Sequence, residues 1–159
     1  MVIRFWFYTI ICGTLLVGCC QPGAHFETPR SADNVDPIRV VISGIFEACM
    51  QKDFDRLESY HDYGPSFTKF TSGVDSLLTA EAARAGERDG MAPLADLTMS
   101  AQDLRIDRFD NVAVATCVLR YGFRSSQGPV DKRAKMTLVF RQKQGAWKIV
   151  HEHLSALSQ

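Results

Sequence analysis

The chain has 159 residues, enough for one domain with a sizeable core and too few for two ordinary ones. Its 18 Lys and Arg balance 18 Asp and Glu. No basic field is left to hold a phosphate backbone, so nucleic acid is excluded as a partner.

Residues 1–18 read as a signal peptide outside the fold. Arg4 is a minimal positive n-region, and Phe5 to Val17 is an apolar run too short to span a bilayer comfortably. The run ends in Leu16-Val17-Gly18-Cys19, which resembles the lipobox of bacterial lipoproteins. That resemblance implies cleavage before Cys19, a diacylglycerol on its thiol, and an acylated (palmitate-type) anchor in the membrane of the cell envelope. No Asp follows Cys19, which resembles outer-membrane sorting, periplasmic side, in a cell with two membranes. Residues 19–35 carry two Pro, a Gly and few large apolar residues, and read as a flexible tether. A coil of about 15 residues reaches roughly 20 Å.

Residues 36–159 read as one folded domain. Asp36-Pro37 opens a helix, with Asp as N-cap and Pro at the first helical position. Ile38, Val41, Ile42, Ile45 and Cys49 follow at helical spacing. Asp53 caps a shorter helix from Phe54 to His61. Asp62 to Ser66 is turn chemistry, and Phe67 to Thr71 a short strand. Ser72 to Arg88 reads as a helix with an Ala-rich stripe (Leu77, Leu78, Glu81, Ala82, Ala85) that Asp89-Gly90 ends.

From Thr98 the period changes to two. Thr98 to Phe109 is a strand irregular enough to carry a bulge, and Asp110-Asn111 a hairpin turn. Val112 to Arg124 places Ala113, Ala115, Cys117, Leu119, Tyr121 and Phe123 on one face. Ser125 to Asp131 reads as a loop. Arg133 to Gln142 puts Ala134, Met136, Leu138 and Phe140 inward, and Gln144-Gly145 turns the chain. In the last strand, Ala146 to Leu154, alternation sets Trp147, Ile149, His151 and His153 on the interior face. Helices first and an antiparallel meander afterwards define an α+β domain. Cys49 and Cys117 lie on apolar faces and read as buried free thiols, with a disulfide as the alternative.

The helix-then-meander order, with Gly145-Ala-Trp-Lys-Ile-Val-His-Glu-His-Leu-Ser155, resembles the SnoaL-like domains of the NTF2-like superfamily. Gln51-Lys-Asp-Phe-Asp-Arg-Leu57 is similar to that family's helix-to-helix break, with Lys52 where Gly is usual. The resemblance implies a cone: a strongly curved antiparallel sheet wrapped around N-terminal helices, with a pocket in its concavity. Its members include isomerases, cyclases and dehydratases as well as proteins without chemistry.

Two readings follow. In the first, the domain is a tethered module binding a small apolar ligand or a protein partner, without cofactor or chemistry. In the second, it is an isomerase, cyclase or dehydratase whose acid/base groups are His151 and His153, helped by Tyr60, His61 and Asp62. The incomplete acid/base set favours binding. Phe67, Phe70, Tyr121, Phe123 and Trp147 are the expected pocket lining. A zinc ion on the two His would need a third ligand from His61 or Asp62, and no metal motif supports it. Val112, Val114, Thr116 and Val118 point outward and suit a homodimer through the outer sheet face.

Overall fold

A computed structural model describes residues 35–158. The signal peptide, Cys19 and nearly all of the tether lie outside the described residues. The elements are α1 (Pro37–Gln51), α2 (Phe54–Ser59), β1 (Thr68–Thr71), α3 (Ala80–Met91), β2 (Ala95–Phe109), β3 (Val112–Ser125), β4 (Gly128–Lys143) and β5 (Ala146–Ala156). The strands form one sheet in the order β1-β5-β4-β3-β2. Strands β2 to β5 are an antiparallel meander, and β1 joins the edge of β5 in parallel.

Local chemistry sets the helix ends. Asp36 accepts a hydrogen bond from the Ile38 amide at 2.8 Å, and Pro37 occupies the first turn. Lys52 ends α1 in the left-handed conformation, φ 57°. This is the position where the related pattern carries Gly, and the side chain meets it at a cost of roughly 1–2 kcal/mol. Asp53 then caps α2 through the Arg56 amide. The turn after β4 uses Gln144 and Gly145 at φ 51° and 80°, a geometry that matches the twist of a two-residue hairpin.

Ile38, Ile42, Ile45 and Cys49 of α1 are buried in one cluster with Ala113, Ala115, Leu119, Met136, Leu138 and Phe140 of the sheet. The helices therefore cover one face. Burying each large aliphatic side chain contributes roughly 1.5–3 kcal/mol. Cys49 and Cys117 are both free and buried.

Several expectations are corrected. The stretch from Ser72 to Thr79 is not helical: Leu78 exchanges two backbone hydrogen bonds with Lys69 and folds back on β1. Helix α3 starts only after Thr79, runs through Gly90, and buries Ala83 rather than the expected stripe. The segment 125–131 is no open loop, because β4 already begins at Gly128 and pairs with Ser125.

The correction in β5 matters most. In β5, Ile149 pairs with Phe140 but His151 pairs with Val139, so Val150 is an extra residue. A bulge of one residue reverses which side every later side chain takes. Ile149 points inward, and beyond it Glu152 (6% exposed) and Leu154 do so. His151 and His153 turn to the outer face.

Candidate functional site

Strand β1 runs parallel to β5 with Lys69 opposite Glu152. Lys69 and Phe67, the residue just before the strand, are buried, while Phe70 is 45% exposed. Lys69 Nζ lies 2.6 Å from Glu152 Oε2 and 2.5 Å from Glu87 Oε1, which α3 supplies. His61, just after α2, closes the network. Its Nδ1–H donates to the Leu57 carbonyl at 2.9 Å, and its Nε2 lies 2.9 Å from Glu152 Oε1. Tyr63 donates its hydroxyl hydrogen to Glu87 Oε2 at 2.8 Å and stacks flat on the His61 ring, centroids 4.7 Å apart.

With Nδ1 committed to a carbonyl, the Nε2 contact to a carboxylate requires a second proton on the ring. Burial alone would lower the His61 pKa, but the hydrogen bond and charge of Glu152 raise it above the ordinary imidazole value. Burial would raise the Glu152 pKa, and Lys69 and His61 together pull it well below the usual carboxylate range. Lys69 likewise stays charged against its own burial, because Glu152 and Glu87 face it. Glu87 goes the other way: burial, then the charge of Glu152, raise its pKa, only partly offset by Lys69. Formally two cations meet two carboxylates, and Glu87 is the member that most readily takes a proton.

Oxygen and nitrogen atoms of His61, Glu87 and Glu152 lie within 4.8 Å of one another, a separation that one metal ion could bridge. Lys69 Nζ already bonds both carboxylates. The ammonium supplies the cation, and these residues do not favour a metal.

This network forms the floor of a cavity of about 100 Å³ whose other walls are apolar and include Ile45, Cys49, Met99 and Leu138. A vestibule of about 270 Å³ shares Met91, Met99, Leu119 and Leu154 with it and adds Leu94, Leu97 and Tyr121. An apolar channel thus ends on a closed set of charges.

Of the residues singled out in the sequence, His61 and Tyr121 belong to this site. His151 Nδ1 lies 2.8 Å from the Thr68 hydroxyl on the outer face, and Phe70 packs edge-on against both outer imidazoles at 6.2 and 6.1 Å. Asp62 is held by Arg141 and Lys143 at 2.7 and 2.9 Å; these contacts tie the terminal hairpin to the α2 end and keep its carboxyl below the usual range. Tyr60 covers Gly44, where any Cβ would meet its ring 2.8 Å from Cζ, and accepts from Arg56 Nε. Phe67 is buried against Tyr63 rather than in the channel. Phe123 borders a separate groove on the sheet. Trp147 is only half-buried and lies under the Arg108 guanidinium at 6.0 Å. Lys69, Glu87 and Glu152 are the site residues that the sequence reading missed.

A helix-filled, open sheet with a pocket in its concavity is the NTF2-like fold. Solved structures share it: a candidate dehydratase of the NTF2-like family from Streptomyces avermitilis (17% identity, TM-score 0.69, covering 77% of this chain and 95% of that one). The CaMKII hub of S. rosetta is similar as well (22%, 0.65, 78% and 99%), as is an NTF2-like protein of Cytophaga hutchinsonii (16%, 0.62, 76% and 95%). At these identities the likeness is one of fold. No curated protein matches the chain in sequence. Residues 38–159 match the SnoaL-like domain, and the chain belongs to that family.

Proposed function

We propose that the domain binds a small, uncharged, largely apolar molecule carrying a hydrogen-bond acceptor, and that acylated Cys19 holds it at the cell-envelope membrane. The observation that supports this is the apolar channel closed by a charge-balanced floor. An added carboxylate or ammonium would leave net charge in a site whose members are about nine-tenths buried, at high desolvation cost. A neutral oxygen suits it better. Lys69 has three N–H donors and gives two to Glu87 and Glu152, which leaves one for a ligand.

The test is fluorescence titration with prodan, a neutral naphthyl ketone, against the corresponding naphthoate. The ketone should bind at least tenfold tighter, a difference of about 1.4 kcal/mol, and Leu119→Trp should abolish binding by filling the shared wall. A naphthoate that binds as well as the ketone would overturn the ligand class. For the anchor, Cys19→Ser should leave the protein in the soluble fraction; unchanged processing and membrane retention would defeat the lipoprotein reading.

A second reading is favoured by one observation, the raised pKa of Glu87 beside Lys69 in an apolar cavity. Such a carboxyl suits proton transfer of the isomerase or dehydratase kind, with Glu87 in the role first expected of His151 and His153. Deuterium incorporation beside the prodan carbonyl, lost in Glu87→Gln, would promote it over simple binding.

A further inference from the structure

One wall of the channel differs from the others. Helix α3 contributes Glu87 and Met91 to it, yet Ala83 is its one fully buried apolar residue. Polar contacts hold it down. Glu87 bonds Lys69 and Tyr63, Arg84 and Arg88 reach Glu58 at 3.2 and 3.1 Å, and the two guanidiniums lie over Tyr63 and Phe54. Gly86 and Gly90 face open space, since a Cβ at either would meet nothing within 4 Å. Packing does not require glycine there, and each weakens the helix relative to Ala. Both flanks are anchored: Leu78 by two backbone bonds to Lys69, and Leu97 by burial in β2.

We propose that α3 is the gate of the cavity. It unwinds locally between Leu78 and Leu97 to admit the ligand, and the contacts of Glu87 with Lys69 and Tyr63 close it again. Its role as a ligand gate rests on the pocket reading above; the opening itself does not. Low-stability segments with few buried apolar contacts open separately from the rest of a fold.

The protein carries its own reporter. Cys49 lines the cavity that α3 covers, whereas Cys117 sits on the inner strand β3, outside that lining. Alkylation of the full chain by iodoacetamide, followed peptide by peptide in low urea, measures both. Cys49 should react at least tenfold faster than Cys117, with little dependence on urea. Gly86→Ala with Gly90→Ala should slow Cys49 by about 2–30-fold, Gly86 being interior to the helix and Gly90 in its last turn. Lys69→Met should speed it.

In the Gly variant, prodan association and dissociation should slow together with the affinity unchanged. Equal rates and equal urea dependence at the two thiols would overturn the gate, as would a Cys49 rate insensitive to the Gly changes. If Cys49 behaves as expected but prodan does not bind, the gate stands and the ligand class falls.

Discussion

Replacing Lys69 by Met keeps the length of the stem and removes the ammonium. Glu87 and Glu152 then face each other without their shared cation, with side chains only 11% and 8% exposed. Solvent screening is weak at that depth, and removing one partner of a buried ion pair costs about 3–5 kcal/mol. His61 still bonds Glu152 and Tyr63 still bonds Glu87, which places the expected loss at about 3 kcal/mol. A domain of this size has a total stability of about 5–15 kcal/mol, so the thermal midpoint should fall by roughly 10 °C or more. Adding Glu87→Gln removes the stranded charge, leaves an acceptor for Tyr63, and should recover at least about 1 kcal/mol. Thermal melts and urea titrations at neutral pH read both variants. A Lys69→Met midpoint within two degrees of the parent, or a double variant no better than the single, would refute the account of the network.

The folded His61 pKa is raised, so its contribution is complete below the ordinary value of 6.5 and lost as pH rises through the folded value. Urea titrations from pH 6 to 9 should show that decline in the parent and a flatter profile in His61→Gln. On the outer face, His153→Asn should change stability by less than about 0.5 kcal/mol, and His151→Asn by about 1 kcal/mol through its lost bond to Thr68; equilibrium denaturation checks both, and neither should alter prodan binding. If the outer face joins two copies, Val114→Glu at its centre should convert a dimer to a monomer by light scattering without lowering the monomer's melting point.

The fold was legible where a local rule has no competitor. Asp36-Pro37 and Gln144-Gly145 fix a helix start and a turn through backbone geometry alone. Alternation placed the inward residues of β3 and β4 because no bulge interrupts their pairing. In β5 the adjacent apolar pair Ile149-Val150 was the only local mark of the extra residue, and missing it turned the imidazoles inward and Glu152 outward. Lys69 had a signal too, since it shares strand parity with Phe67. Charge on a strand ordinarily marks the solvent side, and what overrides that rule here lies on α3 and β5, distant in sequence. The boundaries of α3 were misread because Leu77 and Leu78 suggest a helix stripe, whereas Leu78 serves a backbone bridge and Leu77 is 48% exposed.

The parallel pairing of β1 with β5 has a consequence for how the chain acquires its structure. His61 and Glu152 are separated by 91 positions, and Thr68 finds its strand partner 83 positions on. The helices α1 and α2 and the hairpins β2–β3 and β3–β4 can each form from nearby segments. Lys69 can meet Glu87 of the nearby α3 early, but its second carboxylate comes only with the C-terminal strand. Closing so long a loop is slow, and β5 is also the last element to be synthesised. Docking of β1 on β5, with the charges it buries, therefore cannot precede the arrival of the C-terminal strand. A chain stopped short of Glu152 would lack the floor of the cavity and the shared partner of Lys69 and His61.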